Sequence, residues 1–176
     1  MPKDDGSHVC ARCAKHSGTC CTLEPGQEEH CFPLSPLERS RMEAAGATEE
    51  HFARQANTDA FVDNVCRLFP GEAKTIIALF PPGAAHDRLA IADDGACMLL
   101  GPAGCLLPRP ARPLYCRLFP FWIRAGRELY FEFGQCEAQH EAGGGASLMR
   151  RLGMTSENVR QTYRELRKAW GLPEQK

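Results

Sequence analysis

The sequence predicts an α+β fold, with several short helices around a small antiparallel sheet. Three observations predict it. Ser35-Pro36-Leu37-Glu38 is a capping box with proline at the first helical position. Apolar residues recur at helical spacing over 59–69 and again near the C-terminus. Two turn sequences, Asp93-Asp94-Gly95 and Ala125-Gly126-Arg127, each lie between short apolar runs, the pattern of a β-hairpin.

The elements follow in order. Residues 10–31 carry no helical or strand period and are broken by Gly18, Pro25 and Gly26, so a looped segment is expected. A first helix runs from Ser35 to about Ala45 and stops at Gly46. A second begins after Thr48. A third spans Asp59 to Phe69, with Phe61, Val65 and Leu68 on one face, and ends at Pro70-Gly71. A short one covers Glu72 to Leu79. Arg88–Ala92 and Ala96–Leu100 form the first hairpin, and Phe119–Arg124 with Leu129–Phe133 the second. The run Leu107-Pro108-Arg109-Pro110-Ala111-Arg112-Pro113 between them excludes a central strand or a helix interior. The last helix starts near Thr155 or Ser156 and buries Val159, Tyr163, Leu166 and Trp170. Cys-Arg-Leu-Phe-Pro occurs at 66–70 and at 116–120, in surroundings too different for a duplicated domain.

A length of 176 residues suits one domain over 1–176, and 43% apolar residues suit a globular chain. A balance of 21 basic against 22 acidic side chains argues against a partner that is nucleic acid or an anionic membrane. The polar start Met1-Pro2-Lys3-Asp4-Asp5 lacks the apolar stretch of a secretory signal, and Ile76-Ile77-Ala78-Leu79-Phe80 is too short to span a bilayer. A cytoplasmic location is therefore expected.

Ten cysteines in a reducing compartment read as metal ligands or redox thiols. Eight fall into two groups: Cys10-x2-Cys13-x6-Cys20-Cys21, and Cys97-x7-Cys105-x10-Cys116-x19-Cys136. A two-residue gap aims two thiolates at one ion, and Gly101-Pro102, Gly104 and Gly134 let the later loops bend around a metal. The expectation is a metal-organised cysteine-rich loop region that brings both groups together in space. Cys20 and Cys21 would point apart if extended, so one of them would join a given site. Cys31 and Cys66 read as buried core thiols. Among the histidines, His8, His16 and His140 lie close enough to cysteines to be candidate ligands, whereas His30, His51 and His86 have no such surroundings. One Cys-x2-Cys pair in place of two, with irregular spacing elsewhere, favours an iron–sulfur cluster over zinc.

These residues resemble the CxxCxxCC, or YkgJ-like, cysteine-cluster family of zinc- or iron-chelating domains. Cys10, Cys13, Cys20 and Cys21 match its opening, and Leu34-Ser35-Pro36-Leu37-Glu38 its helix start. Cys97 and Cys105 follow. Arg112-Pro113-Leu114-Tyr115-Cys116-Arg117-Leu118-Phe119-Pro120 matches its Arg-Pro-x-x-Cys-Arg-x-Phe-Pro segment in full. Cys136 and Gly143 complete the pattern over residues 10–145. The gap after Cys13 and the proline run before Arg112 are longer than in the family. The resemblance implies a metal-binding protein with a structural or electron-transfer role, holding zinc or an iron–sulfur cluster.

Four thiolates around zinc or a [4Fe–4S]2+ cluster leave a charge of about −2. At least one of Arg112 and Arg117, which flank Cys116, is expected to donate to that charge. The alternative is a thiol-redox enzyme using Cys10-x2-Cys13 or the vicinal pair. No strand is expected before Cys10, which argues against a thioredoxin-like arrangement. Arg160, Arg164 and Arg167 share a face of the last helix, broken by Glu165. No G-x-S-x-G, P-loop, Rossmann or H-E-x-x-H motif is present.

Overall fold

The computed structural model describes residues 7–15 and 19–174. Among them lie eight α-helices and three two-stranded antiparallel ladders, an α+β fold. The strands do not join into one sheet. The helices are α1 (Ser7–Cys13), α2 (Pro36–Ala44), α3 (Asp59–Leu68), α4 (Ala73–Leu79), α5 (Leu114–Leu118), α6 (Glu137–His140), α7 (Gly145–Arg151) and α8 (Ser156–Ala169). The strands are β1 (Phe52–Ala56), β2 (Ala85–Leu89), β3 (Leu100–Gly101), β4 (Gly104–Cys105), β5 (Phe121–Arg124) and β6 (Arg127–Tyr130). No helix among the described residues is long and apolar enough to cross a membrane.

Local chemistry accounts for the longer helices. Ser35 Oγ accepts the Glu38 N–H, and Glu38 Oε2 accepts the Ser35 N–H at 2.9 Å, closing the capping box of α2. Thr155 and Asn158 close a like box on α8, while Thr58 caps α3 by accepting the Phe61 N–H alone. The apolar stripe of α8 is buried as its spacing requires: Val159, Tyr163 and Leu166 are all in the core.

Three segments depart from the expected elements. Residues 7–13 form α1 where a loop was expected, and the helix is held from outside: Arg12 pairs with Glu137 at 3.0 Å and Glu141 at 2.6 Å. After Thr48 only a short 3-10 turn forms before the chain extends into β1, which pairs with β2 in the register Phe52↔Leu89 to Ala56↔Ala85. Pairing outweighs the helical propensity of that segment. The hairpin around Asp93-Asp94-Gly95 shrinks to a single Ile91↔Cys97 bridge, because residues 85–89 are taken by β1. The β5–β6 hairpin turns at Ala125-Gly126, as its sequence indicates.

Two apolar clusters form the interior. The larger packs Phe61, Phe69, Ile76, Leu118, Trp122 and Leu166; the smaller packs Leu34, Met42, Phe52, Leu99 and Leu107. Cys10 and Cys136 pack against the larger, Cys97 and Cys105 against the smaller. The cysteines thus meet at the seam between two cores. Both Cys-Arg-Leu-Phe-Pro copies lie at helix ends, where α3 and α5 stop at Leu68 and Leu118.

Candidate metal centre

Four stretches of chain converge at this seam. Helix α1 carries Cys10 and Cys13 and lies against α6 and β4. The segment after it, bearing Cys20 and Cys21, is laced to the hairpin region by main-chain hydrogen bonds. Cys97 N–H donates to Cys21 O at 2.8 Å, and Leu23 N–H to Gly95 O at 2.8 Å. Gly95 is required there: a Cβ on it would sit 1.8 Å from Leu23 O, and its φ is +84°. Cys105 comes from β4, Cys116 from α5, and Cys136 stands at the start of α6.

All eight cysteines of the two sequence groups line one cavity of about 140 Å³. Cys10, Cys13, Cys20, Cys21, Cys97, Cys105, Cys116 and Cys136 share its wall with Leu99, Arg112 and Tyr115. Cys20 and Cys116 are exposed by surface area although protein crowds them, because the surface they expose faces the cavity. Among the described residues, no group of three or more His, Cys, Asp or Glu side chains stands in an arrangement that would hold a metal ion. The thiols surround a space; they do not close on a point.

Their electrostatics follow from crowding. Burial pushes the Cys10, Cys13, Cys105 and Cys116 thiols up, and neighbouring cysteines push further. Cys97 is driven up to about 12 by burial. Cys20 and Cys21 share a hydrogen bond that pulls Cys21 down and pushes Cys20 up. The vicinal pair does not point apart as expected for an extended chain. The Thr22 N–H donates to Thr19 O at 2.8 Å, and the turn it closes brings both thiols to one cavity.

The two arginines part ways. Arg112 lies on the cavity wall, where its charge favours the thiolates of Cys10, Cys21 and Cys105. Its Nε donates to Leu107 O at 2.9 Å, which fixes the side chain. Arg117 is not among the residues lining that cavity. It lines a separate pocket and approaches Glu165 at 3.8 Å. Burial lowers its pKa.

Cys31 was expected in the core. It is half-buried and lines an adjoining cavity of about 330 Å³, with Cys20, Cys21, Cys97 and Cys116 on the shared wall. No spacing signal marked it. Cys66 packs against the larger core. His30 also borders the adjoining cavity. His140 is outside the cysteine cavity and donates to Gly134 O at 2.6 Å. The side chain of His8, and His16 altogether, lie outside the described residues.

The basic face of α8 is occupied by acids. Arg160 pairs with Glu128 at 2.7 Å, Arg164 with Glu157 at 3.2 Å and Arg167 with Glu72 at 2.7 Å. Three guanidiniums so matched offer little to a phosphate backbone. Compared with known proteins, the chain matches no family model, no curated protein and no solved structure.

Proposed function

We propose that this protein binds a metal through cysteine thiolates, as zinc or as an iron–sulfur cluster, in a structural or electron-transfer role. One observation carries the reading: eight cysteines, drawn from both ends of the chain, wall a single cavity. Thiolates are soft ligands suited to zinc and to iron–sulfur clusters, and the bound cation would supply the positive charge that such a ring of thiols lacks. The resemblance of residues 10–145 to the YkgJ-like cysteine-cluster family supports the same reading. The cavity, about 140 Å³, is far larger than the roughly 10–15 Å³ that a single water needs in the same measure. That room favours a cluster over one ion. A zinc ion or a [4Fe–4S] cluster takes four thiolates, and the eight cysteines on the wall offer that donor type; Arg112 would offset its charge.

Anaerobic purification with metal analysis and an absorption spectrum tests this. Brown protein with broad absorption beyond the aromatic band identifies iron–sulfur. Colourless protein with stoichiometric zinc keeps the metal reading and changes the metal. Protein containing neither overturns it.

A thiol-redox role has one observation in its favour, the hydrogen-bonded Cys20–Cys21 pair with a lowered Cys21 thiol. The Cys10-x2-Cys13 pair argues the other way. Both thiols are raised by burial, whereas a reactive thiol in such a motif is lowered.

A further inference from the structure

We propose that the eight cavity cysteines divide into two four-thiolate metal centres. Cys21, Cys97, Cys105 and Cys116 form one; Cys10, Cys13, Cys20 and Cys136 form the other. This division rests on the metal-binding reading above and adds the ligands of each centre. Eight thiols on one wall are twice the donors that one zinc ion or one four-iron cluster takes.

The two apolar clusters already part them. Cys97 and Cys105 pack against the smaller, Cys10 and Cys136 against the larger. Main-chain contacts fix the first set. Cys97 N–H donates to Cys21 O at 2.8 Å, and Leu100 N–H to Cys97 O at 2.8 Å. Leu100 is in turn the cross-strand partner of Cys105 in the β3–β4 ladder. Cys116 comes from α5, whose first N–H, at Leu114, is held by Glu38. In every pairing of these four thiols, charge on one raises the pKa of the other. Each therefore lies within electrostatic reach of the other three.

The second set gathers around α1. Cys10 and Cys13 stand three residues apart on this helix, the spacing that puts two side chains on one face. Arg12, beside Cys13, pairs with Glu137, beside Cys136, at 3.0 Å, and with Glu141 at 2.6 Å. These contacts tie α1 to α6 and bring Cys13 within reach of the charge on Cys136. Cys20 lies within reach of Cys10 and is hydrogen-bonded to Cys21. With the first set complete, Cys20 is the fourth donor of the second. The vicinal pair is thus the boundary, one residue to each centre. Arg112 stands at the same boundary, its charge reaching Cys10 on one side and Cys21 and Cys105 on the other.

The test is a titration of cobalt(II), a coloured stand-in for zinc, into the full-length protein, reduced and freed of metal under argon. Each ion releases the thiol protons of its ligands to the buffer and gives a sulfur-to-cobalt charge-transfer band. That band should grow until about two equivalents per chain, with four thiolates to each ion. Cys97→Ser/Cys105→Ser and Cys13→Ser/Cys136→Ser should each halve the endpoint. Cys66→Ser, which lies outside both sets against the larger core, should leave it as in wild type. If a double variant fails to fold by circular dichroism, Cys105→Ser or Cys136→Ser alone takes its place. A wild-type endpoint near one equivalent overturns the division and keeps a cysteine metal site. So does a folded variant of either set that loses all binding or none. No charge-transfer band at all overturns the metal-binding reading as well.

Discussion

The Glu38 carboxylate accepts the Leu114 N–H at 2.8 Å, joining the capped start of α2 to the start of α5 across 76 residues of sequence. Its other oxygen accepts both Ser35 N–H and Ser35 Oγ–H, and only 1% of Glu38 is exposed. One side chain therefore closes a capping box and positions the helix that carries Cys116. Replacement by alanine leaves three buried donors without an acceptor. Glu38→Ala should lose roughly 2–4 kcal/mol in urea denaturation. Glu38→Gln should also be destabilised, because its NH2 must face a donor. A glutamine variant as stable as wild type would show that the carboxylate is not needed there.

Gly95 supplies a second, steric test. A Cβ at this position would lie 1.8 Å from Leu23 O, at a φ of +84°. Gly83→Ala and Gly126→Ala share the strained backbone, at +79° and +73°, but meet nothing within 4 Å. They should cost about 1 kcal/mol each, the backbone term alone. Gly95→Ala should cost clearly more, and metal content should fall with it as residues 19–23 lose their hold on the hairpin. Equal melting temperatures for the three variants would refute the close-approach account.

What the sequence made legible was local. The Ser35–Glu38 box, the start of the last helix near Thr155 and the α8 stripe all lie within a few residues of the groups they serve, so spacing alone reveals them. Helix α1 and strand β1 depend on distant partners, Glu137 and Glu141 in one case and residues 85–89 in the other, and no local pattern encodes those. The cysteine set was legible from its spacing. Cys31 was not, because its approach to Cys97 and Cys116 comes from the path of a loop.

His86 adds a pH dependence. It is 6% exposed, stacked on Phe61 with ring centroids 3.8 Å apart, and donates from Nδ1 to Asn57 Oδ1 at 2.8 Å. Its Nε2 is buried without a partner. Burial, with Arg88 and Arg54 nearby, lowers its pKa to about 4 from the usual value of about 6.5. The folded state therefore prefers the neutral ring. This contribution is complete above pH about 6.5 and is lost as pH falls towards about 4, by up to about 3 kcal/mol. His86→Phe should flatten the stability profile in that window. An unchanged slope would place the acid sensitivity in other groups.

The last expectation separates Arg112 from Arg117, two residues that the sequence treated alike. Arg112 precedes Pro113 in extended backbone, with φ −63° and ψ 153°, and its side chain reaches the cysteine wall. Arg117 follows Cys116 inside α5, where one residue is a rotation of about 100°. That rotation takes it off the cysteine wall, toward Glu165 on α8. With thiolates around a metal, Arg112 is the one of these two that is placed to offset their charge. Arg112→Gln should therefore lose metal to a chelator roughly 10–100 times more readily, the range for groups that support metal ligands. Arg117→Gln should retain metal like Arg160→Gln. Cys13→Ser and Cys116→Ser should lower metal content outright, since both thiols wall the cavity. Metal loss from Arg117→Gln as fast as from Arg112→Gln would show that cavity placement does not decide which arginine matters. Unchanged metal in both serine variants would remove the cysteine cavity as the binding site.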